Sequence, residues 1–446
     1  MCTHLIYAFA RVDKDTFHIE PTDVENDIIG MQYYKQFTGL KIKNPSLKTL
    51  LAVGGRAHAS EGFTQMVKTA DSRKIFIDYS IEYLRKYNFD GLDLHWEYPC
   101  IRGGAPSDKA GYADLVQDLL GAYNTEAHES GRERLLITMA APGDEYITDI
   151  GYDIRALTMY LDFVNLKAFD LQGPLKVNET HYPPWEHDLG HHASLFPGNG
   201  DDTFEVTQTV SHSVEENWIK RGCPPKKLIV GLALYGRAWT VYPDSGSCTI
   251  NDYAPEPSSP GPYTGEDGFW GYFEICTKLK AGMTVYRDDQ RKVPFGCDGI
   301  EWVGYDDYSS FSEKANYIQW GGQAGLFSEG LGGGMVWALD LDDFTGNLCD
   351  NGPWPLMRNV RTLIREGLNW PTTVPLNRPT TPPPTTFCKD NGYTDGLYAH
   401  GQCNHWFYHC DHGITNVMQC ENGLLFDDIL KICNWPENIP GCVCEV

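Results

Sequence analysis

One stretch of ten residues decides the fold, and it reads Asp90-Gly91-Leu92-Asp93-Leu94-His95-Trp96-Glu97-Tyr98-Pro99. Successive side chains of a β-strand point to opposite faces, so its apolar and ionisable residues separate into two rows. The ionisable row consists of Asp93, His95 and Glu97, and the apolar row faces covering helices. Burying three ionisable side chains on one strand is unfavourable unless they perform chemistry. The stretch therefore predicts a barrel strand that carries a functional site at its C-terminal end, the alternative being a buried salt-bridge cluster.

Short apolar runs recur along the first 370 residues, and helix-like segments lie between them. The runs are Leu5–Ala10, Leu47–Val53, Gly91–Trp96, Leu135–Ala140, Phe163–Phe169, Leu228–Leu234 and Met335–Leu339. In the segment before the third run, Ile75, Phe76, Tyr79 and Tyr83 predict one buried helix face, and Asn88 predicts its end. Alternating strands and helices predict an α/β fold with a parallel sheet. Seven runs are present where a closed TIM (β/α)8 barrel has eight strands, so we expect the first strand to be missing.

The composition sets limits on the partners of the chain. Its 446 residues include 60 acidic and 36 basic residues, which gives a formal charge of −24. A nucleic-acid binder needs a basic surface, so nucleic acid is excluded as a partner. No apolar run reaches the about 18 residues of a membrane-spanning helix. The charge and hydropathy therefore predict a globular protein without a membrane span.

A change in composition predicts where the domains begin and end. Residues 371–386 are rich in Pro and Thr, which is typical of a stiff, extended linker. The linker separates a barrel at 1–370, with an inserted subdomain at about 240–333, from a small module at 387–446. Seven of the fourteen cysteines lie between Cys388 and Cys444. Such crowding predicts a disulfide-stabilised β module of a secreted protein.

Several motifs of the barrel resemble those of the family-18 glycoside hydrolases, which comprise chitinases and chitinase-like lectins. The signature of that family reads Asp-Gly-x-Asp-x-Asp-Trp-Glu-Tyr-Pro, and residues 90–99 match it except at His95. Further segments resemble the second, third, seventh and eighth strands of the family, namely Cys2–Phe9, Leu50–Gly55, Leu234–Arg237 and Gly334–Phe344. Residues 302–307 resemble part of the inserted α+β subdomain of that family.

The resemblance implies a mechanism in which one protein acid suffices. Glu97 would protonate the glycosidic oxygen, and the N-acetyl group of the substrate would act as nucleophile. By the same resemblance, the catalytic positions are Asp93, His95, Glu97 and Asp170. The implied substrate contacts are Phe9, Tyr98, Lys167, Phe169, Tyr235, Arg237 and Trp337. No cofactor and no metal are implied, and the expected partner of a monomeric chain is chitin or its oligosaccharides.

Four departures from the family pattern fall around this site. His95 replaces the central Asp of the signature, and a protonated imidazole has no acceptor for the acetamide hydrogen. Lys167 and Phe169 replace a Met and a Tyr, and Arg56 replaces the usual Trp after the glycine pair. Two hypotheses remain open: a retaining chitinase with weak or pH-shifted activity, and a chitinase-like lectin or chitin-matrix protein without turnover.

The first residues raise a separate question about location. The chain opens on Met1 and Cys2 and passes at once into a strand, without the pattern of a signal peptide. Because the cysteines are typical of secreted proteins, we expect an extracellular protein whose signal peptide and first strand are absent from this sequence. Cys2 would then lack the partner that it has in the family.

The cysteine spacing of the last 60 residues resembles that of peritrophin-A-type chitin-binding modules. The resemblance implies the pairs Cys388–Cys410, Cys403–Cys442 and Cys420–Cys433, with Cys444 left over. Aromatic rings that could stack on sugars, with some needed for the small core, are Tyr398, Trp406, Tyr408 and Trp435. A zinc module is the alternative, although the spacing lacks paired CxxC motifs.

A few further signals are weaker. His181, His187, His191 and His192 could form a metal site, but a polar loop is the preferred interpretation. Asn178-Glu179-Thr180 is an N-glycosylation sequon. Residues 340–343 resemble the start of a calcium loop and are assigned to the eighth-strand motif instead. Cys276 and Cys349 match positions that pair in the family, whereas Cys100, Cys223, Cys248 and Cys297 stay unassigned.

Overall fold

The computed structural model describes residues 2–174, 188–241, 248–320 and 330–368, together with five short segments of the C-terminal part. Those segments are 396–399, 406–411, 414–420, 425–427 and 431–434. The chain divides into two compact units, Met1–Asn369 and Trp370–Val446. The predicted linker at 371–386 lies outside the described residues. Among the described helices, none is long and apolar enough to cross a membrane.

Unit 1 contains thirteen described strands and eleven described α-helices. The strands are β1 His4–Val12, β2 Ile19–Pro21, β3 Lys48–Gly54, β4 Gly91–His95, β5 Leu136–Pro142, β6 Phe163–Lys167, β7 Leu228–Ala233, β8 Tyr235–Thr240, β9 Phe269–Gly271, β10 Thr284–Asp288, β11 Val293–Cys297, β12 Glu301–Gly304 and β13 Gly333–Trp337. The helices are α1 Tyr33–Gly39, α2 Glu61–Val67, α3 Ala70–Lys86, α4 Asp108–Ser130, α5 Glu145–Gly151, α6 Ile154–Tyr160, α7 Thr203–Thr207, α8 Val210–His212, α9 Tyr272–Lys280, α10 Tyr308–Trp320 and α11 Pro355–Leu368.

The main sheet is the TIM-type barrel that the alternation of strands and helices predicts. Its order is β13-β7-β6-β5-β4-β3-β1-β2, and every pair from β13 to β1 is parallel. The seven parallel strands match the seven predicted runs. The sheet curves until Phe9 on β1 and Trp337 on β13 bring their ring centroids within 5.8 Å. The C-terminal ends of the strands therefore surround one cleft.

Strand β4 and the residues that follow it alternate as the period of two predicts. The indole of Trp96 stacks on Phe63 of α2 at 4.9 Å and meets Tyr112 of α4 at 5.3 Å, on the helix side of the sheet. Asp93, which points the other way, meets side chains of β5 and β6 inside the barrel. The ionisable row of Asp93, His95 and Glu97 therefore faces the barrel interior.

Helix α3 ends close to Asn88, as predicted, but differs from the prediction in one face residue. Thr69 caps its start by a reciprocal pair of hydrogen bonds with Ser72, and Asn88 follows its end with a φ of 61°. Phe76 is buried, whereas Ile75 is 45% exposed. The placement of Ile75 on the buried face was wrong, because adjacent helical residues are turned about 100° from one another.

The inserted subdomain begins at β8, directly after β7 and slightly before the predicted position. It is an antiparallel sheet with the order β10-β11-β12-β8-β9. A disulfide joins Cys248 to Cys297, which settles two cysteines that the sequence left unassigned. A second disulfide joins Cys276 to Cys349, as the resemblance implies. In the described part of the chain, Cys2, Cys100 and Cys223 are free thiols.

Unit 2 contains two small antiparallel sheets. The first is built from β14 Gly396–Ala399, β15 Trp406–Asp411 and β16 Ile414–Gln419, and the second from β17 Leu425–Asp427 and β18 Ile432–Asn434. Phe407 stacks on Phe426 at 4.4 Å, and a disulfide joins Cys420 to Cys433 as implied. Cys410 is also disulfide-bonded. The cysteines expected at 388, 403, 442 and 444 lie outside the described residues.

Candidate functional site

Glu97 meets two basic side chains at a single carboxylate oxygen. Its Oε1 lies 2.7 Å from Nζ of Lys167 and 2.8 Å from Nε2 of His95. Lys167 is the last residue of β6, two strands away from β4, and the curvature of the barrel brings its ammonium to the end of β4. All three side chains are at most 15% exposed, so water screens the contacts weakly. This buried triad is the centre of the cleft.

The surroundings of Glu97 favour its ionised form. Burial by itself raises the pKa of this carboxyl, but the Lys167 ammonium and the hydrogen bond from His95 outweigh burial and hold the pKa well below its usual range. With Glu97 ionised, Nε2 of His95 donates the hydrogen in their contact. These contacts therefore stabilise the anion of Glu97 relative to its protonated form.

Asp93 lies deeper in the barrel than Glu97 and is 2% exposed. Its Oδ1 accepts hydrogen bonds from Thr138 Oγ1 at 2.5 Å and from Asn165 Nδ2 at 3.1 Å. Burial raises the pKa of Asp93, while His95 and these two donors oppose that rise. The sequence reasoning missed Thr138 and Asn165, although polar residues inside two apolar strand runs were a usable signal.

Aromatic rings line the cleft beside the triad. The imidazole of His95 meets Phe9 edge-on at 4.8 Å and Trp337 at 5.6 Å between ring centroids. On the other side, the phenolic hydroxyl of Tyr98 lies 3.2 Å from the Lys167 ammonium, which also sits 5.3 Å from the centre of the Tyr98 ring. Three predicted contact residues, Phe9, Tyr98 and Trp337, thus lie around His95 and Lys167.

A second charged group is formed by Asp170 and Arg237. Arg237 Nε donates to Asp170 Oδ1 at 2.7 Å, and its Nη1 lies 3.4 Å from Glu266 Oε1. Burial acts to raise the pKa of Asp170, but the Arg237 guanidinium and His192 lower it well below the usual range. Glu266 and His192 were not predicted as members of this group, and no local motif marks them.

Aromatic packing connects this charged group to Trp337. Phe169, Tyr235, Ala193 and Ala233 form one buried cluster, against which Trp337 and Phe269 pack. Tyr235 lies 4.5 Å from Phe269 between ring centroids, and the Arg237 guanidinium carbon lies 4.9 Å from the centre of the Phe269 ring. The predicted contact residues from Phe9 to Arg237 are therefore packed together, but Phe169 and Tyr235 are buried, at 4% and 2% exposed.

Other predicted features have different outcomes. His181, His187 and the sequon at 178–180 lie outside the described residues, and no group of three or more metal-binding side chains occurs within the described ones. Asp343 accepts backbone hydrogen bonds from Gly346, Leu348 and Cys349, each at 2.8 Å. Its carboxylate thus holds the loop after β13 together.

The aromatic residues predicted to bind sugar in unit 2 are only partly described. Tyr408 is 1% exposed and lies in the interior, so it presents no ring face to a ligand. Tyr398 is half-buried and pairs with Tyr408 across the β14–β15 ladder, and the Lys431 ammonium lies 5.2 Å from the centre of its ring. The side chain of Trp406 and the whole of Trp435 lie outside the described part.

Family profiles match both units of the chain. The profile "Glycosyl hydrolases family 18" matches residues 1–342, and the profile "Chitin binding Peritrophin-A domain" matches residues 388–442. The chain belongs to glycosyl hydrolases family 18. This family-18 protein carries a chitin-binding domain, so it is a chitinase or a chitinase-like protein.

Similar proteins include named chitinases and chitinase-like proteins. The family-18 chain is 37% identical to mouse chitotriosidase-1, over 98% of this chain and 89% of that protein. It is 38% identical to sheep oviduct-specific glycoprotein over 82% of this chain, and it spans 62% of that protein. Its structure resembles that of human YKL-39, described as a pseudo-chitinase with retained chitooligosaccharide binding properties. The TM-score is 0.71 and the identity 34%, covering 82% of this chain and 92% of YKL-39.

Proposed function

We propose that this protein binds chitin through its barrel cleft and its C-terminal module, and that its barrel hydrolyses chitin weakly at neutral pH. The observation that carries the proposal is the placement of Lys167 Nζ and His95 Nε2 on the same oxygen of Glu97, at 2.7 and 2.8 Å. Hydrolysis by the family scheme needs Glu97 as a general acid. A general acid has to carry a proton at the working pH, and the depressed pKa of Glu97 opposes this.

A second feature supports weak hydrolysis. Substrate assistance requires an acceptor that orients the acetamide N–H of the sugar. His95 occupies the position next to Glu97, and its Nε2 donates to that carboxylate, while Asp93 is buried with Thr138 and Asn165 as donors. Phe169 lacks the hydroxyl that would hold the acetamide oxygen. Binding of the sugar chain is thus better supported than cleavage.

The cleft keeps the surfaces that suit a neutral sugar chain. Trp337 and Phe9 present aromatic rings, and flat apolar rings with polar neighbours match the alternating faces of a pyranose. The Asp170–Arg237 pair adds fixed hydrogen-bonding groups at the other end of this surface. The peritrophin-A-type domain adds a second attachment, so simultaneous binding raises the effective affinity for a polymer.

A lectin or chitin-matrix protein without turnover is the second candidate function. Two basic side chains on one carboxylate favour it, and so does the likeness to human YKL-39, a pseudo-chitinase with retained chitooligosaccharide binding. The retained Glu97 at the end of β4 favours slow hydrolysis instead. An extracellular location fits both candidates, because the disulfides Cys248–Cys297, Cys276–Cys349 and Cys420–Cys433 are typical of oxidising compartments.

The deciding experiment measures binding and turnover in the same preparations. Affinity for chitotetraose and release of a reporter from a chitin-oligomer glycoside are followed from acidic to alkaline pH for the parent, Glu97→Gln and His95→Asp. We expect binding in all three, slow release by the parent in acid, and no release by Glu97→Gln. A parent without turnover at any pH supports the lectin function. A parent that does not bind chitotetraose contradicts the proposed role of the cleft.

A further inference from the structure

A cavity of about 680 Å³ opens on the inserted subdomain, and it shares no residue with the Glu97 cleft described above. Its walls come from the loop at 199–201, the loop at 248–251 and the hairpin of β10 and β11. The volume lies within the range of small-molecule sites in proteins, about 300–1,000 Å³. Nothing in the mechanism of the cleft uses this cavity.

One wall of the cavity is aromatic. Tyr286 stacks on Phe295 with a centroid distance of 5.0 Å and an interplanar angle of 15°, and Phe295 stacks on Trp302 at 5.2 Å and 22°. Trp302 is fully buried, whereas Tyr286 is 43% exposed. The three rings thus run from the core to the surface, and the inner two hold the outermost ring in place. A fixed, exposed ring is a suitable platform for the apolar face of a sugar.

Two loops of the lining offer polar side chains. Asn199 and Asn251 both line the cavity, and their backbone N–H groups are fixed to Gln290 Oε1 at 2.6 Å and to the Leu189 carbonyl at 2.8 Å. Each side-chain amide supplies donors and an acceptor, which matches the hydroxyl groups of a pyranose. The backbone is therefore held in place at both positions, and the two side-chain amides add polar groups to the lining.

An ion network contributes Asp201 and Arg291 to the lining of the cavity. Arg291 pairs with Asp288 at 2.8 Å and with Asp201, and the three side chains are at most 14% exposed. Two carboxylates share one guanidinium, so this group carries an excess negative charge that disfavours an anionic ligand. The Cys248–Cys297 disulfide ties the 248–251 wall to β11. Because the disulfide and the ion pairs already hold these segments in place, less conformational entropy is lost when a ligand binds.

We propose that this cavity is a second sugar-binding site, which accepts one or two neutral pyranose units of a chitin oligosaccharide. The ring of Tyr286 stacks on the sugar, and Asn199 and Asn251 bind its hydroxyl or acetamide groups. The site goes beyond the proposed function of the cleft, because it requires neither Glu97 nor turnover. It gives unit 1 a second point of contact with a chitin chain.

Tyrosine nitration of the full chain tests the site directly, because Tyr286 and Tyr263 are both accessible at 43% and 76%. Tyr263 does not line the cavity and serves as the internal control. Chitotetraose is titrated in, and nitration at each tyrosine is read by mass spectrometry. We expect chitotetraose to reduce nitration at Tyr286 and to leave nitration at Tyr263 unchanged. The midpoint is the chitotetraose concentration that gives half-maximal protection of Tyr286. We expect the same midpoint in the variant Trp337→Ala, in which chitotetraose binding to the cleft is weakened.

Two variants test the chemistry of the wall. Asn199→Ala is expected to raise the midpoint of Tyr286 protection about tenfold, which corresponds to about 1.4 kcal/mol. Asn124→Ala, an exposed asparagine on α4, is the matched control and leaves the midpoint unchanged. Unchanged nitration at saturating chitotetraose overturns the proposal, and so does protection that disappears in Trp337→Ala. Equal protection by a glucuronate-containing disaccharide overturns the assignment to neutral sugars.

Discussion

The ammonium of Lys167 lies 2.7 Å from Oε1 of Glu97, the oxygen that His95 also contacts. The two residues are far apart in sequence and lie on strands that are separated by β5. This contact converts a candidate proton donor into one member of a buried ion pair. Its consequences can be measured by replacing the partners of Glu97 one at a time.

Replacing Lys167 and His95 should restore the ability of Glu97 to act as a general acid. In the variant Lys167→Met combined with His95→Asp, the pKa of Glu97 is expected to rise, because the Lys167 ammonium and the hydrogen bond from His95 that lower it are gone. Since an effective general acid contributes about 10²–10⁴-fold to rate, we expect reporter release at neutral pH to increase by at least about tenfold. The pH–rate profile should also extend to higher pH than that of the parent, because Glu97 then stays protonated to higher pH.

The matched control for this prediction is the same double variant with Glu97→Gln added. That triple variant should lose the restored activity and keep affinity for chitotetraose. Restored activity that survives Glu97→Gln would show that another group acts as the acid.

The buried contact between Asp93 and Thr138 should matter for stability. Thr138→Val removes the donor that lies 2.5 Å from Asp93 Oδ1 and leaves the carboxylate less satisfied. Loss of a partner from a buried polar group costs about 1–3 kcal/mol of unfolding free energy. Thr125→Val on the exposed face of α4 is the control, and chemical denaturation compares the two variants. Equal losses in the two variants would contradict a special role for the Thr138 hydroxyl.

The pair of Asp170 and Arg237 should govern affinity rather than folding. Because Asp170 is 37% exposed, its pairing with Arg237 is partly screened and adds little to stability. Arg237→Gln is expected to weaken chitotetraose binding while the melting temperature changes little. Arg11→Gln, which removes a surface pair with Glu20, provides the control and should leave affinity unchanged. An Arg237→Gln variant with parental affinity would remove this pair from the binding surface.

The disulfide between Cys248 and Cys297 closes a loop with a sequence separation of 49. Replacing both cysteines by serine should lower the free energy of unfolding by about 2–5 kcal/mol, because the unfolded chain regains conformational freedom. Chemical denaturation measures the loss, and the fully reduced parent should show at least the same loss. An unchanged midpoint in the double serine variant would show that the insertion is held by its sheet alone.

Several features followed from the sequence because they depend on local periodicity or on motif spacing. The alternation from Asp93 to Glu97 predicted which side chains enter the barrel, and the seven apolar runs predicted its parallel strands. The cysteine pairs Cys276–Cys349 and Cys420–Cys433 followed from resemblance to known families. The buried face of α3 was predicted with one wrong member, Ile75, because adjacent positions on a helix differ in direction.

Other features were decided only by the tertiary structure. Lys167 could be recognised as an unusual residue, but its contact with Glu97 depends on the register and curvature that carry β6 past β5 towards the end of β4. The donors to Asp93, the pairing of Cys248 with Cys297 and the rings beside Asn251 likewise join distant segments. The sequence by itself determined the strands, the family and the row of ionisable side chains. The packed barrel determined which charges meet, because long-range contacts are set by strand register and packing rather than by the periodicity of any one segment.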